Sequence, residues 1–125
     1  MDRERASREI VDSAIKVHSA IGPGLLESAY LACLSYELRS RGCRVETQVA
    51  LPVVYRQARL DAGYRIDMLV EGSVDVEIKA VTKLHAIHSA QLLSYLKLSG
   101  KKLGLLLNFH EVRMVNGIRR MVNNL

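Results

Sequence analysis

The stretch YRIDMLVEGSVDVEIKA, residues 64–80, decides how this chain folds. Apolar residues alternate on both sides of EGS (71–73): Tyr64, Ile66, Met68 and Val70 before it, Val74, Val76, Ile78 and Ala80 after it. Alternation with a period of two marks half-buried strands, and a short polar loop joins two such runs as an antiparallel hairpin. With Val70 opposite Val74, each apolar residue meets another. The same register sets Asp67 against Glu77 and Arg65 against Lys79. Like charges directly opposed across a ladder are destabilising, yet a slip of one residue scrambles the apolar face. The carboxylate pair therefore calls for a compensating cation.

Lys79, two residues beyond Glu77, is one candidate. A divalent metal is a second: the carboxylates of Asp67 and Glu77 and a main-chain carbonyl between them, such as that of Ile78, form a hard oxygen site. Mg²⁺ suits it because it takes few protein ligands and keeps several waters. Such an ion polarises a phosphoryl oxygen and lowers the pKa of its water, and Lys79 would orient that water or stabilise developing charge. The competing reading is an exposed hairpin face whose four charges form diagonal salt bridges worth little each.

Outward from this hairpin the period changes. Ile10, Ala14, Val17 and Ile21 recur at helical spacing, which predicts a helix from about Ser7, its N-cap, to Ala20. IGPG (21–24) breaks it. A second helix is expected from about Leu25 to Arg41, with Leu31, Leu34 and Leu38 as its stripe and Gly42 just past its end. Glu27 lies on that stripe, where a carboxylate is costly unless paired or metal-bound; alternatively it sits in the first turn and favours the helix dipole. Val45 to Tyr55 reads as a strand made irregular by Pro52, and QARLDAG (57–63) as a turn. His85 to Leu98 reads as a third helix. On it His88, Gln91 and Tyr95 share one face, able either to hold a phosphate or the attacking water, or to cap a core edge. Leu103 to Phe109 is a run of buried-strand type. Asn116-Gly117 between Val112–Val115 and Ile118–Val122 predicts a terminal hairpin. The order is α-α-β-β-β-α-β, and with no repeat or linker the 125 residues are expected to form one domain.

Composition limits the partners. Eighteen Lys and Arg against 13 Asp and Glu leave a net charge of +5, which suits an anionic partner without identifying it. No apolar run approaches the roughly 20 residues that span a bilayer. The charged start MDRERASREI lacks a signal-peptide core, so a cytoplasmic location is expected. Cys33 and Cys43 fit no zinc or CxxC spacing and are expected to be free thiols.

These residues also carry a resemblance. Gly24, Glu27 and Tyr30 in GLLESAY (24–30) fit the Gly-x-x-Glu-x-x-Tyr signature of the GxxExxY family, which resembles a minimal branch of the PD-(D/E)XK nuclease superfamily. Asp67 with Glu77-Ile78-Lys79 is similar to that superfamily's D…ExK core, and Gln91-x-x-x-Tyr95 to the QxxxY motif of its RecB-like members. The resemblance implies an α/β fold, an αβββαβ core with a mixed central sheet flanked by helices, here with an extra N-terminal helix and a C-terminal hairpin. It implies a catalytic set of Glu27, Asp67, Glu77, Lys79 and Gln91. Asp67, Glu77, Glu27 and Ile78 would surround Mg²⁺ or Mn²⁺, with Tyr95, His88 and Tyr30 toward the substrate. The expected activity is hydrolysis of phosphodiester bonds in nucleic acid, DNA rather than RNA, by a chain that pairs as a homodimer. Lys83, Lys97, Lys101, Lys102, Arg119 and Arg120 are candidate backbone contacts. The alternative is a non-catalytic module on the same fold that binds nucleic acid or protein. Three acids facing a phosphate favour the enzyme, because a binding module has no need of them.

Overall fold

The computed structural model describes residues 1–125. Helix α1 runs Arg3–Ile21, capped by Asp2, whose carboxylate accepts the Arg5 N–H at 2.8 Å. The helix begins four residues before the predicted start, and Ser7 is a buried residue inside it. Asp2 is the stronger cap because its fixed negative charge also meets the positive end of the helix. Ala6, Ile10, Ala14 and Val17 form the buried stripe. Helix α2 spans Glu27–Ser40 and buries Tyr30, Leu34, Ser35 and Leu38; Leu31 packs only at the margin of the core. Gly42 follows it at φ +86°, the left-handed C′ position that glycine fills without strain.

Five strands form the main sheet: β1 (Val45–Ala50), β4 (Arg65–Val70), β5 (Val74–Lys79), β6 (Leu103–Asn108) and β7 (Ile118–Val122), in the order β1-β4-β5-β6-β7. Only β5 and β6 run parallel, joined by the crossover helix α3 (Ala86–Ser99). The expected mixed sheet flanked by helices is what the chain builds. The predicted register of the central hairpin is also found, with Val70 opposite Val74 and Met68 opposite Val76.

Four expectations fail. The predicted strand to Tyr55 ends at Ala50. Its detached end, β2 (Val53–Tyr55), instead forms a small hairpin with β3 (Ala58–Leu60), whose residues were expected in a turn. Its corner, Arg56 and Gln57 at φ +50° and +72°, has the two left-handed residues of a type I′ turn without a glycine. At the C-terminus, Asn116-Gly117 does not close a two-residue hairpin. It lies in a 3₁₀ turn (Met114–Gly117), and β7 pairs with β6. Gly117 is required for a different reason: a Cβ there would collide with the Asn108 carbonyl. Finally, Ile66 does not share the face of Met68 and Val70. Those two pack with α1 and α2, whereas Ile66 joins Leu51 and Tyr95 on the other side.

The sheet thus separates two apolar layers. Toward α1 and α2 lie Val45, Met68, Val70, Val74, Val76, Ile78, Leu103, Leu105, Leu107 and Phe109. Beneath α3, Leu84, Leu92, Leu96 and Leu106 form one cluster and Leu51, Ile66 and Tyr95 another. All six residues of β6 are buried, as expected of a strand covered on both faces. The chain also closes on itself. Met114 packs into the α1 layer, His18 Nε2 meets the Glu111 carbonyl at 2.7 Å, and Arg120 reaches Glu4 of α1 at 2.7 Å.

Candidate active site

The β4–β5 ladder ends at Met68–Val76, one rung short of Asp67 and Glu77. Past that point side chains take over from the backbone. Ile78 N–H donates to Asp67 Oδ2 at 2.8 Å, and Asp67 N–H donates to Glu77 Oε2 at 3.3 Å. Each carboxylate is thereby steadied by an amide of the opposite strand, which offsets part of the repulsion between them. Glu77 is only 3% exposed, while Asp67 is half-buried.

Glu27 enters from the first turn of α2, where Oε2 accepts Ala80 N–H at 3.2 Å. The loop before it is braced: Tyr30 donates its hydroxyl to the Gly22 carbonyl at 2.6 Å and accepts Leu25 N–H at 3.1 Å. Glu27, Ser28, Leu31, Gln48, Asp67 and Ile78 line a cleft of about 140 Å³. A larger hollow of about 240 Å³, mostly apolar, lies between α1 and α2 around Val17, Ala20, Ile21, Cys33 and Tyr36. Its charged lining residues, Lys16 and Glu37, pair with each other at 3.5 Å, so the smaller cleft is the chemical candidate. Lys79 points to α3, donating from Nζ to Gln91 Oε1 at 3.3 Å. Gln91 Nε2 in turn donates to the Tyr95 hydroxyl at 3.3 Å.

Burial sets the electrostatics. It pushes the Asp67 carboxyl above its ordinary value, partly countered by Ile78 N–H and Lys79 and reinforced by Glu27. Glu77 is pushed up more strongly, by burial and then by Asp75. Asp75, two residues back on the same side of β5, is raised to about 6 by burial. Asp75 is fully buried, and as an ionised acceptor neither of its carboxylate oxygens has a partner. It lies against Glu77, and a bond between the two forms only when one of them is protonated. Three crowded carboxyls with one neighbouring lysine leave the region short of positive charge.

No three acidic, histidine or cysteine side chains gather at ligand distance of one point, so the expected cluster of Glu27, Asp67 and Glu77 is not assembled: Glu77 is turned to the Asp67 amide. The residues nevertheless fit a hard divalent cation. Asp67 and Glu77 each engage one oxygen with a backbone N–H, the donors are all oxygen, and Asp75 behind them is an unpartnered buried acid. Such a site suits an ion that takes a few protein oxygens and keeps its waters, not an all-protein cage.

The remaining predicted site residues divide. His88 lies one turn before Gln91, partly buried, its Nδ1 accepting the His85 N–H at 2.9 Å. That bond leaves the ring proton on Nε2, and burial together with Lys79 lowers the His88 pKa. Tyr30 is a correction: it is fully buried, stacked on Phe109 with ring centroids 4.4 Å apart, and cannot touch a substrate. Tyr95 is 7% exposed in the core beneath α3 and reaches the site only through Gln91. Arg65 bonds its own neighbour's carbonyl and pairs with Asp61, away from Lys79. Among the basic candidates, Arg119 holds Ser89, Arg120 holds Glu4 and Lys102 holds the Asn124 carbonyl. Two residues escaped the sequence reading. Asp75 was visible in principle, since VDVE puts it on Glu77's side of the strand. Gln48 had no signal at all, because its position depends on a backbone turn that no glycine announces.

A family model described as the PD-(D/E)XK nuclease superfamily matches residues 4–121. No curated protein and no solved structure matches the chain.

Proposed function

This chain belongs to the PD-(D/E)XK nuclease superfamily, and from that premise we propose that it is a divalent-metal-dependent phosphodiesterase that cuts nucleic acid, DNA in the first instance. The observation that carries the reading is the opposed pair Asp67 and Glu77 at the rung where the β4–β5 ladder stops, with Lys79 next along β5 and tied to Gln91. A Mg²⁺ or Mn²⁺ ion, when bound, supplies neutralisation of these carboxylates and polarisation of a phosphoryl oxygen. Asp67 and Glu77 would hold it, with Glu27 and the Ile78 main chain beside them.

The chain's own groups do the rest. The Lys79 ammonium, aimed by Gln91, orients the attacking water and stabilises charge that builds on the phosphate. Tyr95 fixes Gln91 from behind, so the pair works as a strut and not as a substrate surface. Attack on phosphorus leaves a 3′ hydroxyl and a 5′ phosphate. In the GxxExxY reading, Gly24 and Tyr30 serve Glu27: Tyr30 bolts the loop, and Gly24, at φ +100°, gives it its turn. We read residues 1–125 as one domain, and a homodimer as the form that spans a duplex.

One observation favours a second reading, a non-catalytic nucleic-acid-binding module: the Glu77 carboxylate is already engaged with the Asp67 amide. Incubation of linear, circular and single-stranded DNA and of RNA with Mn²⁺ or EDTA separates the two. Metal-dependent cutting that falls at least about 100-fold in Lys79→Ala, with nucleic acid still bound, supports the enzyme. Binding without cutting under every condition, or equal cutting by Lys79→Ala, refutes it.

A further inference from the structure

Gln48 of β1 has φ +53°, a left-handed conformation that strains any residue with a Cβ. The other non-glycine residues with positive φ, Arg56, Gln57, Glu71 and Asn124, lie at turns or near the chain end; Gln48 alone lies inside a strand of the main sheet. The register is unshifted on both sides of it, Thr47 opposite Met68 and Val49 opposite Ile66. Only the rung joining Gln48 to Asp67 is missing, so no residue has been inserted and the feature is not a bulge.

Both strands roll over at this level. In an unbroken strand, Val45 and Val49 face the same way, as do Ile66 and Met68. Here Val45 and Met68 pack toward α1 and α2, whereas Val49 and Ile66 pack beneath α3. The roll frees the Asp67 N–H for Glu77 and brings exposed Gln48 into the wall of the cleft with Glu27, Asp67 and Ile78. The carboxylates in that wall can only accept hydrogen bonds. A phosphate lying there needs donors, and a lysine or arginine at this position would pair with Asp67 and compete with the cation. A carboxamide donates without doing so.

We propose that Gln48 is a substrate-contact residue, its carboxamide N–H donating to a phosphate oxygen of nucleic acid in the cleft, and that the left-handed turn of β1 aims it there. The inference rests on the nuclease reading but has its own test. Gln48→Ala removes the amide and keeps the strained Cβ; Gln48→Gly removes the amide and relieves the strain. Thermal melting of each is compared with its affinity for a single-stranded DNA oligonucleotide in Ca²⁺, and with KM and kcat for cutting in Mn²⁺. The expected result is that Gln48→Gly melts above Gln48→Ala, while both bind the oligonucleotide about 10-fold more weakly than wild type and both raise KM. If affinity follows melting temperature instead, retained in Gln48→Gly and lost in Gln48→Ala, the turn is structural and the proposal fails. Wild type that binds without cutting, with binding weakened in both variants, keeps the contact and removes only the nuclease. Wild type that binds no oligonucleotide overturns the contact.

Discussion

Gly104 offers a sharp test of how packing beneath α3 supports the site. It sits in β6 between Asp75 of β5 and Met121 of β7. A Cβ built there would lie 2.9 Å from Leu92 Cδ1 and 3.2 Å from Cδ2 and Cγ, roughly 0.4–0.7 Å short of ordinary carbon contact. Leu92 is fully buried with Leu84, Leu96 and Leu106, so Gly104→Ala is expected to push it, and α3 with it, off the sheet. Overpacking of this kind costs about 1–3 kcal/mol, or about 4–12 °C of melting temperature in a chain this size. Gln91 adjoins Leu92, and its contact with Lys79 is already 3.3 Å; a lift of half an ångström or so breaks it. Circular dichroism melts and cleavage rates at 25 °C should therefore fall together. Leu92→Ala alone costs about 2–5 kcal/mol, but the G104A/L92A double variant removes the colliding atoms. Its loss should be smaller than the sum of the two by about 1–3 kcal/mol. Strict additivity would refute the argument, because the close approach would then not be what opposes the methyl.

Other outcomes are equally specific. Tyr30→Phe keeps the stack on Phe109 but loses the bonds to Gly22 and Leu25; it should cost about 1–3 kcal/mol in urea unfolding, and a loss under about 0.5 kcal/mol would show that the loop is held elsewhere. The folded-state pKa of Asp75 is raised from 3.8 to about 6, so this carboxyl favours folding most below about 4 and that advantage disappears as pH rises through about 6. Asp75→Asn carries no such charge and should raise the melting temperature at pH 8 more than at pH 4.5; an equal gain at both would contradict the assignment. Because Asp67 and Glu77 are also raised, a cation must displace protons to bind. Calorimetric titration should find Mn²⁺ affinity increasing from pH 6 to pH 8 with proton release, and a pH-independent affinity would place the ion elsewhere.

The hairpin at 64–80 was legible because alternation and a three-residue loop favour one register, and its rungs from Val70–Val74 to Met68–Val76 form as expected; the roll at Asp67 that turns Ile66 to the other face had no signal in the alternation. Helix ends were less legible: Ser7 and Asp2 are both acceptable caps, and the buried stripe reaching back to Ala6 decides between them. The turn residues misled in both directions. Asn116-Gly117 signals positive φ, but the glycine answers to the Asn108 carbonyl; Arg56-Gln57 and Gln48 adopt positive φ without signalling it. The tyrosines illustrate a second limit. Tyr30 and Tyr95 stand at motif positions and were assigned outward, yet a motif fixes only that a residue matters, not whether it meets substrate or holds what does. The carboxylates themselves could be paired from spacing, but the burial of Asp75 behind them depends on α3 covering that face of the sheet.

The closure of the chain's two ends bears on its synthesis. Glu4 and Arg120 lie 116 positions apart, and Met114 supplies part of the surface on which α1 rests. At about 5–20 residues per second on the ribosome, the first helix waits on the order of ten seconds for these partners, its stripe of Ile10, Ala14 and Val17 covered meanwhile only by α2. A nascent chain in that interval is a client for chaperones, and the candidate site is not assembled until β6 has paired with β5.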